Sequence, residues 1–210
     1  VAGSDIDCDF RRLPAYTYAR SDDDREAVRR EARTAARFDL PASFVEDDAM
    51  DLPYETAGAV SFADQAQFDP RKYLLALAEQ FVDAGGTIHE GTAVTDVADG
   101  TPCRVETDRG AVRADHVVLA THFPLKDRGG FFARMRPKRS YVLAARVDGP
   151  VPEGMYYDFS EPYRSLRPYR RDGEQYLLVG GENHKTGQAD TEERYRRLAA
   201  FARDHFDVEE

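Results

Sequence analysis

The chain has 210 residues, enough for one large domain or two small ones with a substantial core. Its formal net charge of −10 argues against nucleic acid or an anionic membrane surface as a partner. The apolar runs are far shorter than the ~20 residues that span a bilayer, and no signal peptide is visible, so we expect a cytoplasmic protein.

The first part of the chain is typical of strands interrupted by one helix. Residues 8–20, CDFRRLPAYTYAR, predict two short strands around Pro14. The segment SDDDREAVRREARTAARFDL predicts a helix, because acidic residues open it and Pro41 follows its end. Two strand-like pieces follow within residues 43–62, around SFVE and GAVSF.

A second helix is predicted after Asp69, a natural N-cap that precedes Pro70 at the first helical position. Apolar residues then recur at helical spacing, at Leu74, Leu77, Ala78, Phe81 and Val82. The pair Gly85-Gly86 predicts the end of the helix, and GTIHEG predicts a strand directly after it. Helix, glycine turn and strand together make half of a right-handed crossover unit.

Residues 93–120 predict three short strands, AVTDV, CRVETD and AVRA, followed by HVVLA. The last run has no polar alternation, which is typical of a parallel strand covered on both faces. Ligands of open α/β sheets collect where such strands end, here at Thr121 and His122.

After Pro137 the sequence predicts an antiparallel sheet, because short strand candidates follow one another with tight turns between them. The candidates are YVLAARV, GMYYDF, YRSLRPY and EQYLLVGG. The last element, DTEERYRRLAAFARDHF, predicts a helix with a capping box of Asp190 and Glu193. Its apolar face consists of Tyr195, Leu198, Ala202 and Phe206.

This order of elements resembles the FAD-dependent oxidoreductases of the D-amino acid oxidase/glycine oxidase type. Four phrases in order resemble one bacterial branch more closely: FADQAQFDPRKYLLALAEQ, HVVLATHFP, RSYVLAARV and VGGENHKTGQ. In that branch a flavin domain is often followed by a C-terminal Rieske iron–sulfur domain.

The resemblance implies an α+β fold with an α/β part. An antiparallel substrate-domain sheet would carry helices on one face, beside a partial parallel-sheet FAD-binding domain with a β-meander. We assign residues 1–62 and 138–210 to the two segments of the substrate domain, and residues 63–137 to the partial FAD-binding domain.

The resemblance also implies candidate cofactor contacts. Val94, in the segment AVTDV, would contact the adenosine half of FAD through its backbone, and Ala120 and Thr121 would lie near the pyrophosphate or ribitol. The family usually has glycine after Ala-Thr, whereas this chain has His122, which we expect to face the substrate cavity or to cap the strand end.

The chain lacks two features of the whole enzymes. No GxGxxG occurs in the 210 residues, and the Rieske Cys-x-His and Cys-x-x-His pairs are missing. Because the chain also begins without Met and stops just after a helix, we expect an internal fragment that is inactive alone. FAD, and a two-iron two-sulfur Rieske centre where one exists, would belong to the full-length protein, together with a fused Rieske domain or another electron-transfer partner.

The candidate substrate-binding residues are His122, Tyr141, Ser165, Arg167 and His184. On the strand YRSLRPY, alternation places Ser165 and Arg167 on one face, where the arginine can bind a carboxylate with two hydrogen bonds. A solvated edge strand, a plain core tyrosine at 141 and a surface loop at His184 are the simpler alternatives.

The sequence does not identify a catalytic residue, and no metal site is predicted. Cys8 and Cys103 are far apart in sequence and the histidines lack HxxxH or HxH spacing. We expect the full-length protein to oxidise an amine or amino-acid-like molecule by hydride transfer to flavin. The alternatives are a flavoprotein monooxygenase, which would react with NADPH, and a non-catalytic binding domain that has lost the cofactor site.

Overall fold

The structure is a computed structural model that describes residues 3, 5–127, 129–187 and 190–209. Its contacts divide the chain into a large unit, Val1–Tyr73 with Pro137–Glu210, and a small unit, Leu74–Arg136. The functional domain boundaries predicted from the sequence stay a prediction.

The elements follow the predicted order with few exceptions. The strands are β1 (Arg11–Tyr18), β2 (Ala42–Val45), β3 (Ala59–Gln67), β4 (Val94–Ala98), β5 (Cys103–Thr107), β6 (Gly110–Ala114), β7 (Lys138–Arg146), β8 (Met155–Asp158), β9 (Arg164–Arg171) and β10 (Glu174–Lys185). The helices are α1 (Asp22–Ala36), α2 (Pro70–Asp83), α3 (Phe131–Arg134) and α4 (Thr191–His205), with one 3-10 turn at Asp47–Ala49. Among the described residues, no helix is long and apolar enough to cross a membrane.

The large unit is a seven-stranded sheet in the order β2-β3-β1-β8-β9-β10-β7. Strands β1 and β8 pair in parallel, and the other neighbours pair antiparallel. Around Pro14 the predicted pair of strands is one strand, β1, with a register shift between Leu13 and Ala15. Proline has no N–H to donate, so an irregularity at this position lets the strand continue.

Helix α4 covers one face of this sheet, where it contacts β7 and β10. The core between α4 and the sheet contains Leu166, Leu177 and Val179, which are fully buried. Helix α1 packs on the other face against β2 and β3, because its Arg25 and Arg29 lie over the ring of Phe44, on the side of the sheet opposite this core. The predicted cap of α4 is confirmed, since the Asp190 carboxylate accepts hydrogen bonds from the backbone N–H of Glu192 and Glu193.

The small unit contains the predicted meander, in which β4, β5 and β6 form an antiparallel sheet. The predicted start of α2 is also confirmed, because the Asp69 carboxylate accepts from the backbone N–H of Arg71 and Lys72. The apolar stripe of α2 is exposed, however, with Leu74 at 63% and Phe81 at 51%.

Two strands predicted in the small unit do not form. The segments GTIHEG and HVVLA are irregular, and Val118 is 88% exposed. A strand covered on both faces needs a hydrogen-bonding neighbour and packed layers, and in the described part of the chain no strand pairs with either segment. The predicted buried strand ending at Thr121 is therefore not formed in this structure.

Asp158, at the end of β8, is a buried acid in the large unit. Its Oδ1 accepts a hydrogen bond from the Ser160 backbone N–H at 3.0 Å, and its Oδ2 lies 2.6 Å from Arg20 Nε. Burial nevertheless raises the pKa of the Asp158 carboxyl group above its usual range, although Ser160 and Arg20 act in the opposite direction.

We predict that replacing Leu166 with alanine destabilises the protein by about 2–5 kcal/mol, because a fully buried side chain on a central strand leaves a cavity. Urea unfolding followed by circular dichroism measures the change. The matched control is V118A at the exposed position, with an expected effect within about 0.5 kcal/mol. Equal effects of the two changes would contradict the burial described above.

A second prediction concerns pH. Since the folded state raises the Asp158 pKa, the folded protein binds the proton more tightly than the unfolded chain. The contribution of Asp158 to the free energy of unfolding should therefore fall as pH rises above about 3.9, the ordinary aspartate value. The D158N variant cannot bind or release a proton at this position. As pH rises, the free energy of unfolding of the wild type should therefore fall relative to that of D158N. Urea unfolding across pH 3–7 measures it, and a shift in favour of the wild type would contradict the raised pKa.

Candidate functional site

The candidate site lies on the face of the large sheet opposite α4, which we call the open face, and the side under α4 is the helix-covered face. Alternation along β9 places Ser165 and Arg167 on this face and Arg164 and Leu166 on the helix-covered face, as predicted. Cross-strand pairing aligns Ser165 with Tyr157 on β8 and with Gly180 on β10. Arg167 is aligned with Leu178 in the next row.

A recess of about 190 Å³ opens beside the row formed by Tyr157, Ser165 and Gly180. Its wall includes Tyr157, Tyr163, Ser165, Gly180 and Asn183. The Tyr157 and Tyr163 rings stack, with centroids 5.9 Å apart and planes 19° from parallel. The recess depends on glycine at position 180, because a Cβ there would lie 2.5 Å from Ser165 Oγ.

The Tyr157 hydroxyl at the recess is neutral at physiological pH. Burial raises the pKa of Tyr157, and neighbouring Tyr163 and Asp158 raise it further. Among the described residues of the wall, Arg164 is the only one with a charged side chain, and it is paired with Glu182 on the helix-covered face. The recess therefore offers aromatic surface and neutral hydrogen-bonding groups.

A larger groove of about 600 Å³ begins beside the row formed by Arg167 and Leu178, and we call it the Arg167 groove. Leu178, Tyr169 and Gln67 contribute to it from the sheet, and Phe68 from the chain directly after β3. Arg167 is exposed and forms no ion pair or hydrogen bond with any residue that the structure describes. A free guanidinium at a groove can bind a ligand carboxylate with two hydrogen bonds.

Tyr141 and His184 form a separate pair on the helix-covered side. His184 Nδ1 lies 2.7 Å from the Lys185 carbonyl oxygen, so this nitrogen donates, and Nε2 accepts from the Tyr141 hydroxyl at 2.9 Å. Tyr141 also lines the recess, whereas the His184 ring is occupied by these two bonds. Their assignment to substrate binding stays a prediction.

His122 belongs to the small unit, where it is exposed and has a φ of 61°. This left-handed backbone conformation is the one that glycine adopts most easily, which fits a slot that the related family usually fills with glycine. The substrate-binding role of His122 also stays a prediction.

The small unit has a cavity of its own around Val94, with a volume of about 640 Å³. Ile88, Val105 and Val112 supply apolar surface, and Arg109 lies at the wall. A planar apolar group such as the adenine of FAD fits such a groove, but the chain has no glycine-rich phosphate loop beside it.

The other two predicted cofactor contacts lie outside this cavity. Ala120 and Thr121 are exposed, and the Thr121 hydroxyl donates to the Phe123 carbonyl oxygen at 2.7 Å. Among the described residues, no cluster of three or more His, Cys, Asp and Glu side chains could hold a metal ion.

Sequence reasoning missed two wall residues, Tyr163 and Asn183. Tyr163 lies two positions before Ser165, so the alternation that selected Ser165 also points to it. Asn183 follows an irregularity in β10 that alternation alone does not reveal. The pair Gly180-Gly181 was the available signal, because glycines within a strand often mark such irregularities.

Comparisons with known proteins agree with this fold. A curated relative from Bacillus subtilis (strain 168), "Putative Rieske 2Fe-2S iron-sulfur protein YhfW", is 35% identical over 185 residues, which are 87% of this chain and 36% of the relative. Glycine oxidase from Geobacillus kaustophilus superposes with a TM-score of 0.78 at 18% identity, over 96% of this chain and 56% of the enzyme. L-proline dehydrogenase from P. horikoshii superposes with a TM-score of 0.68 at 16% identity, over 97% of this chain and 60% of the enzyme.

The likeness to the two solved structures confirms the α+β fold class predicted from the sequence. The chain spans little more than half the length of these enzymes, and about a third of the curated relative. The family model described as DAO, FAD dependent oxidoreductase, matches residues 1–210. The chain therefore belongs to the DAO family of FAD-dependent oxidoreductases.

Proposed function

We propose that the full-length protein oxidises a small amine or amino acid, and that the open face of the large sheet forms one wall of the substrate site. The observation that carries this proposal is the unpaired Arg167 at a groove on the same face as a neutral recess. Family membership supports a flavin enzyme, and the two similar enzymes named above act, by their names, on glycine and L-proline.

Arg167 would orient the substrate by its carboxylate. Two parallel N–H donors fix both the position and the plane of a carboxylate, and they are available because no acid in the described part of the chain pairs with Arg167. The row spacing of the sheet then separates this anchor from the Ser165 row by two residues along β9.

The recess would receive the part of the substrate that carries nitrogen. Its wall has no carboxylate to hold an ammonium ion, so it favours the neutral amine. Only the neutral amine has a lone pair on nitrogen. As a hydride leaves the adjacent carbon, this lone pair forms the second bond between carbon and nitrogen. Bound FAD would supply the acceptor of that hydride. Proton loss from nitrogen completes an imine, which water hydrolyses.

The groove around Val94 would contribute to binding the adenosine half of FAD in the full-length protein. The support is its apolar wall and the family match over the whole chain. Because the chain lacks a GxGxxG loop, we expect the 210 residues alone to bind FAD weakly and to be inactive.

We also propose that electrons leave the full-length protein through a two-iron two-sulfur Rieske centre, in a fused domain or a separate partner. The name of the Bacillus subtilis relative supports this proposal. The visible spectrum of the purified full-length protein tests both groups, since flavin and a Rieske centre absorb differently. A colourless protein would contradict the proposal, and a requirement for NADPH would favour a monooxygenase instead.

We predict that R167A raises KM by about 10- to 100-fold for an amino acid that the full-length protein oxidises, since it removes charged hydrogen bonds of about 1.5–3 kcal/mol. Steady-state oxidation of a panel that includes glycine and L-proline measures this. R171A is the matched control, because Arg171 lies on the same strand but pairs with Asp172 outside both cavities. Equal KM changes in the two variants, or an equal change for an amine without a carboxylate, would refute the anchor.

G180A should impair the same reaction differently. The added methyl group would press against Ser165 Oγ and reduce the recess, so we expect a lower kcat/KM for the larger members of the panel than for the smallest. The matched control is G173A, at a turn where a Cβ would meet no atom within 4 Å, although its positive φ disfavours a side chain. A uniform loss across all substrate sizes in G180A would contradict a steric role.

A further inference from the structure

Strand β10 contains a β-bulge beside the recess. Gly181 is opposite Tyr141 of β7, and His184 is opposite Arg139, so three steps along β10 correspond to two along β7. The additional residue changes the alternation of side chains. Gly181 and His184 both lie on the helix-covered side, and Asn183 becomes part of the recess wall.

The backbone of the bulge is strained. Glu182 has a φ of 56°, in the left-handed region that is unfavourable for residues with a Cβ. Gly181 has a φ of 148°, and a Cβ there would collide with the Tyr163 carbonyl oxygen. Such a conformation persists only where surrounding contacts hold it.

The Glu182 carboxylate supplies those contacts. Its side chain is 2% exposed, Oε1 accepts from Arg164 at 2.6 Å, and Oε2 accepts from Arg194 at 2.9 Å. Arg197 lies 3.7 Å from Oε2. Arg164 is on β9 and Arg194 on α4, so one carboxylate ties the bulge both to its neighbouring strand and to the helix that covers it.

We infer that Glu182 is a positioning residue, which acts through the bulge to place Asn183 at the recess. We call the contacts of Glu182 with Arg164 and Arg194 the Glu182 clamp. This inference rests on the proposed function in one respect, namely that the recess binds the nitrogen-bearing part of a substrate. The Asn183 amide oxygen can then accept a hydrogen bond from the N–H of the substrate. No carboxylate among the described residues of the wall offers an alternative acceptor.

The charges explain why a carboxylate is needed at position 182. Arg164 is buried, and without Glu182 its guanidinium would lose the carboxylate that accepts its hydrogen bond. A glycine at 182 would tolerate the backbone conformation better but would leave that charge unpaired. In the sequence Gly-Gly-Glu-Asn, the glycines therefore allow the unusual backbone conformation. Glu182 holds the bulge through its ion pairs, and Asn183 contributes its amide to the recess wall.

The experiment uses the full-length protein and the variants E182A, N183A, their double variant and R194A. R194A removes one half of the Glu182 clamp and keeps the buried Arg164 pair, so it remains informative if E182A does not fold. Hydrogen–deuterium exchange over residues 178–186 reports on the bulge without any substrate or flavin. Oxidation of glycine, L-proline and small amines reports on KM and kcat.

We expect faster exchange at the bulge in E182A and R194A, and a rise in KM of about tenfold in both E182A and N183A, the value of one hydrogen bond of about 1.4 kcal/mol. The double variant should be no worse than either single variant, since both act through the same amide. L198A is the stability control, because Leu198 is fully buried on α4 but lies outside the clamp. It should lower Tm and leave KM unchanged.

Unchanged exchange in E182A and R194A would overturn the clamp, and additive KM effects of E182A and N183A would overturn the link to Asn183. A rise in KM in L198A equal to that in E182A would reduce Glu182 to a stability role. If the wild-type protein oxidises no amine, the proposed function fails, while the exchange measurement still decides whether the clamp holds the bulge.

Discussion

The side-chain alternation of the seven-stranded sheet is the constraint on which the site depends. On β8, β9 and β10 one set of alternate residues packs against α4 and supplies the core, so the other set is available for binding. On β9 the division is visible residue by residue, with Leu166 fully buried between Ser165 of the recess and Arg167 of the groove. Stability and substrate contact are thus assigned to opposite faces of one strand.

The two faces also differ in how they treat charge. Arg164 and Arg167 are three residues apart, yet the first is buried against Glu182 and the second has no partner among the described residues. A buried arginine must be paired, because an isolated charge in the interior is unfavourable by several kcal/mol. An exposed one at a groove remains available for a ligand. The same residue type therefore has a structural role at one position and a proposed binding role at the other.

The spacing of residues in the sequence predicted the elements that depend only on residues close in sequence. The caps at Asp69 and Asp190, the meander β4–β6 and the two faces of β9 follow from spacing within a few residues. The predicted strand at HVVLA failed because burial on both faces depends on partners distant in sequence. The pair Gly180-Gly181 signalled an irregularity in β10, but it did not place the bulge at Glu182, which is stabilised by Arg194 from another element.

Family membership restricts the chemistry of the protein more than its substrate. Glycine oxidase and L-proline dehydrogenase share this fold at 18% and 16% identity with the chain, yet their names give different substrates. Specificity must then reside in the few side chains that differ on a common sheet. In this chain the candidates are the neutral wall at Tyr157 and Tyr163, the amide of Asn183 and the free guanidinium of Arg167. Under the proposed function, a substrate that suits all of them would have a carboxylate at one end and an uncharged amine at the other when it reacts.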